Sequence, residues 1–239
     1  MPALTMNEGS DYWAVIPAAG VGRRIGTEVP KQYLNLAGLP IIEHALRVFL
    51  QHPLIRGVAV ALDPADARWQ GIPSAGHPEI LRVDGGAERC HSVINALDML
   101  STRAKEDDWV LVHDAARPCL RREDLDRLID KLRGHSLGGL LGVPVRDTMK
   151  AADPANRVLR TVSRTGLWHA YTPQMFRLGL LRKALRSALE SGHLVTDEAA
   201  ALEIAGHGPV LIEGHADNLK ITRPEDLPLA EFYLEQQGR

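Results

Sequence analysis

The chain has 239 residues, 45% of them hydrophobic, enough for one large α/β domain or two small ones. Its 28 Lys and Arg against 30 Asp and Glu give a formal charge of -2, which excludes a general nucleic-acid or membrane-surface binder needing a basic excess. The start "MPALTMNEGSDYW" has no cationic stretch before an apolar run, no window approaches a membrane span, and Cys90 and Cys119 lack CxxC spacing; a soluble cytoplasmic protein with two ordinary thiols is expected.

Short apolar runs alternate with stretches of helical period, which predicts a Rossmann-like α/β fold with a mostly parallel sheet flanked by helices. The first expected strand, "WAVIP" at 13–17, runs straight into "AAGVGRRIGTEVPKQY". A glycine-rich turn after a first strand brings backbone N–H groups against phosphates. A dinucleotide fingerprint from Gly20 would need glycine where Ile25 stands, and no Gly-Lys-Ser/Thr follows for a Walker A loop. What remains is A-A-G-x-G-x-R and then P-K. Ala18, Ala19, Gly20 and Gly22 form the candidate cradle, with Arg24 as a planar fork and Lys31 as a point charge on phosphate oxygens. A solvated loop would carry the same cations for solubility.

A helix is expected at about 40–51, strands at 57–62 and 79–84, and a second helix at about 88–100. "VDGGAERCHSV" places Gly85, Gly86 and Ser92 where they could contact a base edge, although a plain glycine turn into a helix explains the glycines equally well. The next strand, 109–114, ends on Asp114 at the carboxyl edge where open α/β sheets bind ligands. A carboxylate there could hold a Mg²⁺ that fills its shell with phosphate and water, or it could cap its own turn. His113 reads as a packing or hydrogen-bonding residue. The helix at 122–133 puts Leu125, Leu128, Ile129 and Leu132 on one face, and a strand follows at 138–145.

From 146 to 171 the chain turns polar, with β-branched residues two apart and the turn signal "DPAN". This reads as an extended hairpin leaving the main sheet and returning. Such an arm is too small to be stable alone, so a second subunit is its expected support. Beyond it come helices near 178–191 and 197–205 and strands "PVLIEG" and "NLKIT". Thr196 reads as the cap of the 197–205 helix, and Thr222 with Glu225 as a capping box opening the last one. Taken singly, Arg164 and Lys220 would be ordinary solvated cations. The whole chain, 1–239, reads as one domain with an inserted arm.

Seven segments in order carry a resemblance: "PAAGVGRRIGTEVPKQYL", "VDGGAERCHSV", "VLVHDAARPCL", "VPVRDTMK", "RTGLWHAYTPQMF", "VTDEAAALE" and "DNLKITRPEDLPLAEFYL". The loop is similar to that of sugar-phosphate nucleotidyltransferases, and the downstream motifs resemble the 2-C-methyl-D-erythritol 4-phosphate cytidylyltransferase family. That resemblance implies CMP transfer from CTP to the sugar-alcohol phosphate in non-mevalonate isoprenoid precursor synthesis. It implies Mg²⁺ at Asp114 and a homodimer through the arm, with no nucleic acid or membrane involved. It further implies that Arg24 and Lys31 stabilise the transition state and leaving pyrophosphate. Arg164 and Lys220 would orient the attacking phosphate, with Arg117, Thr148, Thr172 and Thr196 contacting the acceptor. Family members often carry an acidic residue after the double glycine, where this chain has Ala87. Two other readings are a cytidylyl- or uridylyltransferase for another phosphate, such as ribitol 5-phosphate, and a silent nucleotide-binding protein.

Overall fold

The computed structural model describes residues 9–20 and 29–239. Strand β1 (Tyr12–Pro17) alternates sides: Ala14 and Ile16 face one core and Val15 the other. After a 3-10 turn at Lys31–Tyr33, a small hairpin of β2 (Asn35–Leu36) and β3 (Leu39–Pro40) leads into α1 (Ile41–Leu50). The chain continues through β4 (Ile55–Leu62), β5 (Ile80–Asp84), α2 (Arg89–Leu100), β6 (Trp109–Val112), α3 (Arg122–Leu132) and β7 (Gly138–Pro144).

The seven-stranded sheet is completed by β10 (Trp168–Arg177) and β11 (Val210–Glu213); its order is β11-β7-β10-β6-β1-β4-β5. Every neighbouring pair is parallel except the two made by β10. One core lies under α1 and α3, where Ile42, Leu46, Phe49, Leu125, Leu128 and Leu132 meet Ile16, Val60 and Leu111. The opposite core lies under α2, α4 (Leu178–Glu190) and α5 (Glu198–Ile204). Burial on both faces explains why the central strands read as continuous apolar runs. A third cluster joins α6 (Asp226–Gln236) to the β2–β3 hairpin through Leu36, Ile41, Cys119, Ile221, Ala230 and Leu234.

From β1 the chain steps outward to β4 and β5, then crosses back to β6 on the other side of β1. The reversal opens a crevice at the carboxyl ends of β1 and β6, the place where open α/β sheets take ligands. Five expectations need correcting. Residues 168–171 belong to β10 and not to the arm, which is the separate hairpin of β8 (Met149–Ala152) and β9 (Val158–Val162). Pro173 hides β10, because a proline between polar Thr172 and Gln174 argues against a strand interior; the β7 pairing is interrupted between Ala170 and Gln174, where Pro173 sits.

"NLKIT" forms no strand; Ile221 N–H is answered by the Ala116 carbonyl of a loop, at 2.8 Å. The expected 109–114 strand stops at Val112, leaving His113 and Asp114 just beyond the sheet. Asp197, not Thr196, caps α5, accepting from Ala200 N–H at 3.0 Å. At α6 the Thr222 amide and hydroxyl turn to Asp226 Oδ2, at 2.7 and 3.0 Å, so the partner is one residue later than the expected Glu225.

Candidate active site

Four segments meet at the crevice. Ala18–Gly20 leave β1, and Gln32 anchors them by donating Nε2–H to the carbonyls of Ala18 at 2.8 Å and Gly20 at 3.1 Å. Gln32 is only 4% exposed, so the loop's first turn is held by a buried amide that motif reading passed over. Gly85 closes the other wall. A Cβ built there would lie 2.3 Å from Ala19 Cβ, so the two glycine turns touch because residue 85 has no side chain. The Ser92 hydroxyl accepts from Gly86 N–H at 3.0 Å and donates to Glu88 O at 3.3 Å. It pins the turn rather than pointing outward.

Asp114 lies at the centre, 7% exposed. Arg89 Nε reaches its Oδ1 at 2.9 Å and Lys220 Nζ its Oδ2 at 2.8 Å, with Arg117 Nε 3.6 Å from Oδ2. Burial by itself would raise the Asp114 pKa, but Arg89, Lys220 and Arg117 outweigh it and hold the carboxyl well below the usual carboxylate range. Arg89 also grips Glu198 with both terminal nitrogens, at 2.6 and 3.1 Å. Glu198 is itself 1% exposed, and burial raises its pKa against the pull of Arg89.

His113 is fully buried, and burial lowers its pKa to about 4 despite its hydrogen bonds. Its Nε2 lies 3.0 Å from the Arg117 carbonyl, which can only accept, so the proton sits on Nε2. Nδ1 then accepts from the Thr172 hydroxyl at 2.9 Å, and that oxygen accepts from Asp114 N–H at 3.1 Å. His113 is a neutral strut that fixes the Asp114 backbone.

The segment carrying Lys220 is irregular, and side chains replace a ladder in holding it. Asp124 accepts from His215 N–H and Nδ1 at 2.9 and 2.8 Å, and Arg121 and Gln237 hold Asp217. Asn218 donates to the Thr172 carbonyl at 2.8 Å and receives Arg117 Nη1 on its own carbonyl at 2.7 Å. Lys31 Nζ reaches Ile221 O at 3.2 Å, bringing Lys31 beside this segment.

Residues 12–236 match the family described as IspD: 2-C-methyl-D-erythritol 4-phosphate cytidylyltransferase. A protein of that name from Pseudomonas syringae pv. syringae is 55% identical over 229 residues, covering 95% of this chain and 97% of its own. The chain belongs to this family. Among solved structures, the 2-C-methyl-D-erythritol 4-phosphate cytidylyltransferase of Francisella tularensis superposes with a TM-score of 0.82 at 38% identity, covering 94% of this chain and 100% of that one. The protein of the same name from Thermus thermophilus gives a TM-score of 0.76 at 32% identity, covering 94% and 99%.

As a cytidylyltransferase, the chain gathers Ala18, Ala19, Gly20, Lys31, Gly85, Gly86, Ser92, Asp114, Arg117, Thr172 and Lys220 around one crevice. Arg24 and Gly22 lie outside the described residues. Arg117 is 7% exposed, stacks on the Tyr171 ring at 4.7 Å and is committed to backbone carbonyls, so it braces the crevice from beneath. Thr148 and Arg164 lie exposed at the arm, Arg164 donating to the Arg146 carbonyl; neither bonds to the crevice residues described. Thr196 is exposed beside the Asp197 cap. Arg89 and Glu198 were not singled out as a pair, since 109 positions separate them and no spacing rule joins them. The one available signal was a long cation and an acid, each at the start of a helix facing the carboxyl edge of the sheet.

Proposed function

We propose that this chain transfers CMP from CTP to 2-C-methyl-D-erythritol 4-phosphate, releasing pyrophosphate, and that the crevice around Asp114 performs the transfer. The Lys220–Asp114 pair carries this reading. Lys220 is the most accessible of the cations on Asp114, its side chain 38% exposed against 24% for Arg89 and 9% for Arg117. It can therefore leave the carboxylate and meet an incoming phosphate.

The acceptor is a phosphate monoester and already anionic at neutral pH, so no strong base is required. Among the described residues, the buried imidazole at the crevice is His113, whose two nitrogens are both engaged. The work is electrostatic: bring two polyanions together and stabilise charge as pyrophosphate departs. Backbone groups at 18–20 would cradle the triphosphate, Lys31 and Arg24 would take the developing negative charge, and Lys220 with Arg164 would orient the attacking oxygen.

Mg²⁺ fits this donor set. No cluster of three or more His, Cys, Asp or Glu suited to a metal occurs among the described residues, so they offer no cage. Mg²⁺ usually takes one or two carboxylates and completes its shell with phosphate and water, and Asp114 is a dependable anion with one oxygen under an exchangeable lysine. When bound, the ion would supply positive charge that neutralises the phosphates, with Asp114 as the residue that would hold it. Lys220→Met or Lys31→Ala is expected to cut turnover by roughly 10²–10³-fold with the fold unchanged, read by pyrophosphate release and circular dichroism. Near-normal turnover in either variant would remove that lysine from the mechanism.

The arm supports a homodimer. Its hairpin pairs with no other strand of the described residues and exposes Met149, Val158 and Leu159, the last two 62% and 67% exposed. A small hairpin with large apolar side chains open to water wants a partner. Val158→Glu with Leu159→Glu is expected to give a monomer by light scattering, with activity falling as Thr148 and Arg164 lose their place. A dimer that survives both changes would put the interface elsewhere. Two free cysteines, both buried, suit the proposed cytoplasmic location. No helix of the described residues is long and apolar enough to cross a membrane.

A further inference from the structure

Glu198 has no part in the transfer chemistry described above. It opens α5, but Asp197 already caps that helix, so Glu198 is not needed for its end. A carboxylate 1% exposed is costly to desolvate, and an apolar residue of similar volume would pack the site as well. Its charge-bearing partner is Arg89, which it grips through two nitrogens while the third holds Asp114 Oδ1. One guanidinium is thus divided between two carboxylates.

That division matters because Asp114 has two more cations against it, Lys220 and Arg117. With Glu198 neutral, the whole charge of Arg89 would fall on Asp114, leaving its carboxylate outnumbered by three cations and a poor competitor for a fourth. With Glu198 ionised, the cluster of Arg89, Lys220, Arg117, Asp114 and Glu198 carries one net positive charge, and Oδ2 is the exchangeable oxygen.

We infer that Glu198 is a positioning residue that acts through Arg89, fixing Asp114 by Oδ1 and leaving it anionic enough to exchange Lys220 for a divalent cation. This rests on the reading of Asp114 as the metal-binding carboxylate. The sign is definite for Glu198→Gln. The cluster gains one positive charge, so metal-free CTP should bind as well as before or more tightly. The cation-loaded nucleotide should bind more weakly, because Asp114 is better neutralised and less firmly placed. Loss of a residue supporting a metal ligand commonly weakens metal affinity by about 10–100-fold.

The experiment is calorimetric titration of the full chain with CTP, once in EDTA and once with Mn²⁺. Glu198→Gln is expected to lower affinity for the Mn²⁺-loaded nucleotide by about tenfold while the EDTA titration is unchanged or tighter. Equal weakening in both titrations, or no change in either, overturns the inference, since a merely structural role moves both together. Glu198→Asp keeps the charge and should retain the gain in affinity on adding Mn²⁺, even if both titrations weaken or Glu198→Gln fails to fold. Loss of that gain in Glu198→Asp also overturns it. Asp114→Asn separates the two readings: wild-type binding of the Mn²⁺-loaded nucleotide there removes the metal from Asp114 altogether. Weak binding in Asp114→Asn with a wild-type Glu198→Gln removes Glu198 alone.

Discussion

Asp114→Asn is expected to lower turnover by roughly 10²–10³-fold and to destabilise the fold by about 3 kcal/mol, the lower end for removing one partner from a buried ion pair. The activity loss follows from position. Asp114 sits beyond β6, beside the β1 loop, and fixes both the Arg89 and the Lys220 side chains. The stability loss is held to the lower end because Lys220 can relax into water and Arg89 keeps Glu198. Arg117 has no such recourse: its Nε is buried without a hydrogen-bond partner and relies on the charge of Asp114 at 3.6 Å.

The pH dependence has a fixed sign. The native carboxyl is held below its unfolded value of about 3.9, so its contribution is fully present above that pH and is lost as pH falls through the lower native value. Urea unfolding of wild type and variant should therefore differ by a constant amount from neutral pH to about pH 4 and converge below it. A gap that closes between about pH 7 and 5 would mean that Asp114 is not held ionised by its neighbours.

Gly85→Ala is expected to raise the CTP KM at least about tenfold and to cost about 1–3 kcal/mol of stability, the usual range for forcing a methyl into a packed site. The added Cβ would stand 2.3 Å from Ala19 Cβ and 3.2 Å from the Leu62 carbonyl. Neither neighbour can yield cheaply. Gly85 N–H is tied to that same carbonyl at 2.7 Å, and the Ala18 carbonyl is tied to Gln32. The turns must separate by about an ångström, a displacement that costs catalysis up to about 10²-fold when it falls on positioning groups. Gly76→Ala, with nothing within 4 Å of the new methyl, is the matching control and should be silent. Equal KM values for the two variants would detach the Gly85 turn from the nucleotide.

The parts of this architecture set by local pattern could be read from the chain itself. Buried apolar runs marked β1, β4, β6 and β7, and the Leu125–Leu128–Leu132 stripe marked α3, because burial and period are properties of neighbouring residues. Asp114 and the glycine turns stood out for the same reason, each directly following an apolar strand. What stayed hidden depends on pairing across the fold. β10 is broken by Pro173 and is recognised as a strand only through its partners β6 and β7. Lys220 keeps its place on an irregular segment through Asp124, Arg121 and Asn218, so "NLKIT" looked like a strand for want of those tethers. Thr196 matched a capping pattern as well as Asp197 did, and only geometry chose between adjacent residues. Glu198 and Arg89 lie on separate helices, and their shared service to Asp114 has no trace in spacing.

The most direct test of this mechanism is a crystal structure of the protein with CTP and Mg²⁺ bound. The triphosphate is expected against the backbone of Ala18–Gly20, the ion on Asp114 Oδ2, and Lys220 swung from that oxygen toward the open side of the crevice. CTP bound elsewhere, or Lys220 still 2.8 Å from Asp114 with the ion held by other residues, would contradict it.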